Sequence, residues 1–254
     1  MTEKSKKTLS RVITAVALLL CFGFVFMVVN AFTGNPVSAY VASIRIHEYI
    51  EKTYPDQPLE VSQVQYTFPN SAYYARVQAT DSIDTSFTVS FSRGKVSDDY
   101  EYEVANHFTT YRRLSEAFDG LVTEIIEARY PDKTTLIIGG LVGDTRLLTP
   151  NAPLNLDAMP LALSLNVSML SEVRDEHSMA ALLTELHQLM RKNDIPIDWY
   201  TLRLEEPLPE DMKPGSAETL HLIDFPASGI TDDPVALAAD IQVFIAEAEQ
   251  NDKS

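Results

Sequence analysis

Two adjacent arginines are the side chains in this sequence whose charge and position most suggest a functional contact. Arg112 and Arg113 lie between Tyr111 and Leu114, in a segment whose apolar residues recur at helical spacing. At least one guanidinium should therefore face the protein interior, where a positive charge is costly unless a carboxylate meets it. Asp84 is the expected partner. We interpret the contact as a structural ion pair that docks a helix on a sheet, and alternatively as an arginine held for an anionic ligand.

Other residues with catalytic chemistry lack the spacing that this chemistry needs. His47-Glu48 is followed by Glu51 at the position where a zinc-protease helix requires a second histidine. The sequence contains no Gly-x-Ser-x-Gly nucleophile elbow and no glycine-rich phosphate loop. We therefore expect no catalytic residue, no metal site and no cofactor, which favours a binding protein over an enzyme.

Four aspartates form a weaker candidate for a cation site. Asp81, Asp84, Asp98 and Asp99 could gather at one sheet edge and bind Ca²⁺, which takes several oxygen ligands. The spacing of a calcium-binding loop is absent, and Asp98 and Asp99 also suit the start of a helix. The four residues are therefore interpreted as caps and turn residues.

The segment that must position everything else is an uncharged apolar run from Val12 to Phe32. A helix needs about 20 such residues to cross a bilayer. The basic residues that precede the run are Lys4, Lys6, Lys7 and Arg11. Because basic residues favour the cytoplasmic side, we predict a single-pass protein with a cytoplasmic tail at 1–11, a transmembrane anchor at 12–33, and an extracellular location for the rest of the chain.

A cleaved secretory signal is the alternative interpretation of this run. Val29-Asn30-Ala31 resembles a cleavage site, but the apolar segment is longer than the roughly 7 to 15 residues of a signal core. Cys21 is the only cysteine, so the exported part has no intramolecular disulfide and must be stabilised by its core.

The charge balance limits the classes of partner. The chain of 254 residues has 20 basic and 36 acidic side chains and a net charge of −16. An acidic surface repels phosphate backbones, so we expect no nucleic-acid partner. The expected partners are the membrane, through the chain's own helix, and a protein, peptide or envelope component.

Periodicity predicts an α+β fold with one transmembrane helix and two helix-on-antiparallel-sheet units. Asn35-Pro36 should begin the first helix after the anchor, and Asp98-Asp99 should begin a long one. Three prolines between 149 and 160 suggest a linker. We therefore predict an N-terminal domain at 34–148, a linker at 149–160 and a C-terminal domain at 161–254, with an open stretch from Glu205 to Gly215.

Several short motifs occur in the order seen in the YfjL-like proteins of Gram-positive bacteria. They are Asn35-Pro36-Val37-Ser38, Tyr54-Pro55, Val64-Gln65-Tyr66-Thr67-Phe68, Ser82-Ile83-Asp84-Thr85 with Phe87, Gly94-Lys95-Val96 with Asp98-Asp99-Tyr100-Glu101, and Thr110-Tyr111-Arg112-Arg113-Leu114. The resemblance covers about the first half of the chain. It implies a membrane-anchored exported protein with an N-terminal helix-on-sheet domain and a distinct C-terminal domain, and it carries over no catalytic residue.

Two functions from different classes remain at this stage. The first is a non-catalytic binding or interaction module at the outer face of a bacterial membrane. The second is a cell-envelope hydrolase that uses aspartate or glutamate as acid and base. Convergence of two or more Glu, Asp or His side chains at the floor of a concave pocket would favour the enzyme, and an exposed sheet edge or apolar groove without it would favour the binder.

Overall fold

The computed structural model describes residues 3–207, 219–231 and 233–251, and it confirms the α+β fold. Most of the open stretch predicted from Glu205 to Gly215 therefore lies outside the described residues. The helices are α1 (Glu3–Thr33), α2 (Pro36–Thr53), α3 (Phe108–Arg129), α4 (Glu176–Lys192) and α5 (Pro234–Asn251). The strands are β1 (Leu59–Val61), β2 (Gln65–Thr67), β3 (Ala72–Ala79), β4 (Ser86–Ser92), β5 (Lys95–Asp98), β6 (Thr134–Val142), β7 (Ala162–Leu170), β8 (Trp199–Glu205) and β9 (Thr219–Pro226).

The chain divides into two compact units between Ala105 and Asn106. This division differs from the boundary predicted at 149–160. The prolines of that segment belong to a connection inside the second unit, because β6 before it pairs with β7 after it. A proline-rich stretch and a domain linker have the same local composition, and strand pairing distinguishes them.

The N-terminal unit places α2 on one face of an antiparallel sheet in the order β1-β3-β4-β5, with β2 also paired to β3. Alternate residues of β3 and β4 point toward the helix and are buried, as strand periodicity requires. The main buried cluster of this unit consists of Ile46, Ile50, Ala75, Val77, Phe87 and Val89. The predicted start of α2 is confirmed, since Asn35 Oδ1 accepts a hydrogen bond from the Val37 N–H at 2.8 Å.

The Asp98 carboxylate of β5 joins α2 to the sheet by accepting hydrogen bonds from two tyrosines, one in α2 and one directly after it. The Tyr49 and Tyr54 hydroxyls donate to Asp98 Oδ2 at 2.7 and 2.9 Å, and the Tyr100 N–H donates to Asp98 Oδ1 at 3.1 Å. The hydrogen bond to Asp98, followed by burial, raises the pKa of Tyr49. Burial, followed by the same carboxylate, raises the pKa of Tyr54. Both hydroxyls therefore stay protonated and remain donors at neutral pH.

We expect Asp98→Ala to lower the free energy of unfolding by about 2 kcal/mol, because it leaves two half-buried hydroxyls without their charged acceptor. Denaturant unfolding followed by tyrosine absorbance measures this change. Asp56→Ala, which removes an exposed carboxylate from a nearby turn, is the matched control and should have an effect below about 0.5 kcal/mol. Equal effects of the two variants would contradict the assigned role of Asp98.

The long helix begins later than predicted. Residues Glu101–Ala105 form a short π-helical turn, and His107 follows with a φ of 56°, so α3 starts at Phe108. A helical turn does begin directly after the predicted start at Asp98-Asp99, and the Asp99 carbonyl accepts a hydrogen bond from the Glu103 N–H at 2.9 Å. The turn ends at Ala105, so the predicted long helix is interrupted before Phe108. Asp99 Oδ1 accepts from the Thr88 N–H of β4 at 2.6 Å.

The C-terminal unit has a four-stranded sheet in the order β6-β7-β8-β9. Its strand pairs are antiparallel except β7 and β8, which are parallel. This pair departs from the expected all-antiparallel sheet because α4 connects the two strands as a crossover, which lets them run in the same direction. Helices α3, α4 and α5 contribute to one core with the sheet, and its fully buried side chains include Phe118, Leu165, Leu183, Tyr200 and Ile241.

Helix α3 also supplies hydrogen bonds to the outer edge of β6. The Gly139 N–H donates to Asp119 Oδ1 at 2.8 Å, and the Tyr111 hydroxyl donates to the Leu141 carbonyl at 3.0 Å. An edge strand exposes backbone groups that would otherwise pair with another chain. Two of these groups on β6 are therefore satisfied within the unit.

Candidate ligand-binding site

The face of the second sheet opposite the core carries polar side chains and a tryptophan. On β7 the buried residues alternate with Ser164 and Asn166, and on β8 they alternate with Trp199 and Thr201. Strand register places these residues together, because Ser164 pairs with Trp199 and Asn166 pairs with Thr201. Two rows of side chains therefore cross the open face side by side.

A cavity of about 380 Å³ lies on this face, and we call it the Trp199 pocket. Its lining residues are Ile138, Val142, Ser164, Leu165, Asn166, Trp199, Thr201 and Asp224. Trp199 is the only tryptophan of the chain and is 40% exposed. The pocket therefore combines an accessible aromatic ring with hydroxyl, amide and carboxylate groups.

Asp224 reaches the pocket from an irregular part of β9. The pairing of β8 with β9 shifts between Tyr200 and Leu202, and Asp224 has a φ of 53°. The Thr201 hydroxyl donates to Asp224 Oδ1 at 3.2 Å and accepts from the Asp224 N–H at 3.1 Å. Bulges of this kind redirect side chains and occur often near binding sites. Here the irregularity directs a carboxylate toward the row formed by Asn166 and Thr201.

The opposite face of β8 is held firmly by Tyr200. This residue is fully buried, and its hydroxyl lies 3.1 Å from His187 Nδ1 on α4. Burial raises the pKa of Tyr200, so its hydroxyl stays protonated. Because Trp199 and Tyr200 are neighbours in a strand, fixing Tyr200 in the core fixes the backbone that presents the Trp199 ring.

The lining of the Trp199 pocket suits an uncharged ligand with many hydroxyl groups. Among the described residues, Asp224 is the one charged side chain that lines the pocket. Asn166 both donates and accepts hydrogen bonds, the serine and threonine hydroxyls do the same, and the carboxylate accepts. The Trp199 ring offers a flat apolar surface. Glycoside hydrolysis usually needs two carboxyl groups on either side of the scissile bond, whereas this lining contains one.

A second cavity of about 370 Å³ lies under the proline-rich connection between β6 and β7. Its lining is mainly apolar, with Leu114, Leu148 and Met159 among the residues. Thr149 and Asn155 are its polar side chains, and no charged group in the described part of the chain lines it. It offers fewer directional contacts to a ligand than the Trp199 pocket does.

The residues predicted to form an ion pair lie in different units. Asp84 is buried in the N-terminal unit, between β3 and β4. Arg112 and Arg113 belong to α3 in the C-terminal unit, where Arg112 lies 5.1 Å from the Phe108 ring centroid and Arg113 donates to the Ala152 carbonyl at 2.9 Å. The pairing of Asp84 with either arginine stays a prediction.

The other candidate residues are placed as ordinary structural groups. His47 lies on the exposed side of α2, with Nδ1 2.7 Å from the Ser43 carbonyl. Asp98 and Asp99 accept the hydrogen bonds described above. Within 3–207, 219–231 and 233–251, no three His, Cys, Asp or Glu side chains come close enough together to hold a metal ion.

The sequence itself carries a signal for part of the Trp199 pocket. Strict alternation of leucine and valine in β7 leaves Ser164 and Asn166 on the opposite face, and the single tryptophan begins β8. These patterns identify open-face residues strand by strand. They do not reveal which strands are neighbours, so they do not bring Asp224 to Thr201.

One helix in the described part of the chain is long and apolar enough to cross a membrane. The segment is Ile13–Asn30 in α1, none of which is buried. A secretory signal sequence near an N-terminus passes the same test of length and composition. The structure thus defines a two-unit α+β protein with an apolar N-terminal helix and a cavity on an open sheet face.

The chain belongs to the YfjL-like family. It matches the model described as "YfjL-like, N-terminal domain" over residues 9–100 and the model described as "YfjL-like C-terminal domain" over residues 117–241. The family resemblance read from the motifs is therefore confirmed. The division between Ala105 and Asn106 falls between the two matched ranges.

One solved structure with similarity to the chain is the crystal structure of a DUF5037 family protein from Ruminococcus gnavus ATCC 29149. It has 13% sequence identity and a TM-score of 0.28, and the alignment covers 78% of this chain and 98% of that one. No curated protein matches the chain.

Proposed function

We propose that this protein is a non-catalytic binding module, tethered by α1 to the outer face of a bacterial membrane, whose Trp199 pocket holds a hydroxyl-rich envelope polymer such as a carbohydrate chain. The observation that carries the proposal is the convergence of an exposed tryptophan with Asn166, Thr201 and Asp224 on an open sheet face. The apolar faces of sugar rings stack on aromatic side chains, and their hydroxyls bond to amides and carboxylates.

The electrostatics of the chain and of the pocket support the same class of ligand. A net charge of −16 disfavours polyanions, and no basic side chain of the described residues lines the pocket to attract one. A single carboxylate in the lining supports binding over hydrolysis by a carboxylate pair. Tethering by α1 would keep the pocket close to the polymers of the envelope.

The pocket is tested with the full-length protein in detergent micelles and soluble glycan fragments released from bacterial cell wall. We expect saturable binding in titration calorimetry, weakened about thirtyfold by Trp199→Ala because a buried aromatic contact contributes about 2 kcal/mol. Asp224→Ala should weaken binding as well. Asp240→Ala removes an exposed carboxylate from α5 and is the matched control, with unchanged affinity expected.

Each outcome of this experiment bears on a separate part of the proposal. Absence of saturable binding would contradict the carbohydrate ligand, and binding that both pocket variants leave intact would contradict the pocket. Release of reducing ends that stops in Asp224→Ala would favour the hydrolase. The tether is tested by fractionation and external protease digestion of intact cells, and recovery of the full-length chain from the soluble cytosol would contradict it.

A further inference from the structure

The exposed side of α2 changes from apolar to charged along its length. In the first turns, the residues that share this side are Val37, Tyr40, Val41 and Ile44, with 71, 69, 42 and 41% of their surface exposed. Their spacing of three and four residues makes them one stripe. The same stripe continues with Glu48, Glu51 and Lys52, which are exposed as well.

This apolar stripe is not the side of α2 that packs on the sheet. The buried residues of the helix are Ala42, Ile46 and Ile50, which lie on the opposite side. A surface helix of a soluble protein normally has one apolar side and one polar side. The first turns of α2 therefore carry a second apolar side that the core does not use.

The stripe begins next to the end of the apolar helix. Helix α1 ends at Thr33 and α2 begins at Pro36. From Val37 to Ile44 the helix rises about 11 Å. Phe32 at the end of α1 stacks on Phe68 in the turn before β3, with ring centroids 4.4 Å apart, and both rings are also exposed. The stripe and these two rings together define the juxtamembrane patch.

The junction between the two helices is fixed by contacts with the first sheet. Gly34 has a φ of 76°, and a Cβ at this position would lie 2.6 Å from Tyr66 Cγ, so only glycine fits. The Asn35 N–H donates to the Tyr73 hydroxyl at 2.8 Å, and this hydroxyl donates to the Asn35 carbonyl at 3.1 Å. The direction of α2 after α1 is therefore set by the sheet of the N-terminal unit.

We propose that the juxtamembrane patch lies in the lipid headgroup layer beside the end of α1 and holds the N-terminal unit against the membrane surface. The proposal rests on the membrane tether of the proposed function and is independent of the Trp199 pocket. Tyrosine and tryptophan side chains favour this layer, as Tyr40 would in the patch. The charged continuation of the stripe marks the distance at which α2 enters water. Because the patch contains no Lys or Arg, its contact with lipid does not require anionic headgroups.

The test uses the full-length protein in phosphatidylcholine vesicles, with Trp199→Phe removing the natural tryptophan. Single tryptophans are introduced by Phe24→Trp within α1, Tyr40→Trp in the patch and Lys52→Trp at the end of α2. Lipids brominated near the glycerol end or near the end of the acyl chain report the depth of each ring by quenching. Phe24→Trp tests the span, and Lys52→Trp is the matched control on the same helix.

We expect Phe24→Trp to be quenched most by the deep bromines. Tyr40→Trp should be quenched at least twofold more than Lys52→Trp, and most by the shallow bromines. Adding Val41→Asp to Tyr40→Trp should reduce this quenching at least twofold, and anionic lipid should leave it unchanged.

The outcomes separate this proposal from the tether. If Phe24→Trp is quenched but Tyr40→Trp is quenched no more than Lys52→Trp, the lipid contact of the patch is overturned. The membrane tether stays supported in that case. An unquenched Phe24→Trp overturns the tether and the patch together. In a third outcome, the tryptophan of Tyr40→Trp is shielded from water but not quenched by the lipids, and the chain crosslinks as a dimer through this stripe. That result would show that a second copy covers the stripe in place of lipid, and it would overturn the proposal.

Discussion

Replacing Phe118 with alanine is expected to lower the free energy of unfolding of the C-terminal unit by about 3–5 kcal/mol. Phe118 is fully buried on α3 and belongs to the same core cluster as Leu165 on β7 and Leu183 on α4. Removing its ring leaves a cavity that the surrounding side chains fill only partly. Because domains are stable by only about 5–15 kcal/mol, this single change removes a large fraction of the total.

The single tryptophan makes this prediction specific for one unit. Trp199 lies in the C-terminal unit, so its fluorescence during denaturant unfolding follows that unit. Ile46→Ala removes a fully buried side chain from the core of the N-terminal unit and is the control. It should change the Trp199 transition much less than Phe118→Ala does. If Phe118→Ala leaves this transition unchanged, α3 is not part of the C-terminal core, and a boundary at 149–160 would be supported.

Replacing Gly139 with alanine is expected to destabilise the same unit by about 3 kcal/mol, at the upper end of the cost of overpacking. A Cβ on Gly139 would lie 2.7 Å from Val122 Cγ2 and 3.0 Å from Asp119 Cα. The Asp119 Cα is a backbone atom and cannot rotate away, so α3 would have to move off β6. That movement would also stretch the hydrogen bond from the Gly139 N–H to Asp119 Oδ1.

Gly120→Ala is the matched control and should have the opposite sign. Gly120 lies inside α3, and a Cβ there would have no neighbour within 4 Å. Alanine in a helix interior is more stable than glycine by about 0.5–1 kcal/mol. Trp199 fluorescence in a denaturant titration measures both variants. Destabilisation of similar size by both would show that close packing of α3 on β6 is not the cause.

The local patterns of the sequence predicted most of the elements. Three predictions that depend on residues close together in the chain are confirmed. They are the N-cap at Asn35, the alternation in β4 and β7, and the apolar face of α4. The predicted long helix was only partly correct for the same reason, because a helical turn begins directly after Asp99 but ends at Ala105, and α3 starts at Phe108. Asp98 and Asp99 have the local character of helix caps, but their carboxylates bind Tyr49, Tyr54 and Thr88, which are distant in sequence.

The candidate site was less predictable than the fold. The sequence singles out Arg112, Arg113 and Asp84 because a charge at an apolar helix face needs a partner. Such a pattern identifies an unusual residue, but it does not show which residues surround it in the fold. The residues of the Trp199 pocket are individually ordinary. Asn166, Thr201 and Asp224 become a site only through the parallel pairing of β7 with β8 and the irregular pairing of β8 with β9.

The sequence by itself determined the apolar helix, the family and the alternating strands, because each depends on composition or on short spacings along the chain. Tertiary structure alone decided that the proline-rich segment lies within a unit, that α3 shares a core with β7, and that Trp199 and Asp224 line one pocket. The physical reason is that the periodicity of a segment indicates which face each side chain occupies. The neighbours of a strand, in contrast, are determined by burial and hydrogen bonding between segments far apart in the chain.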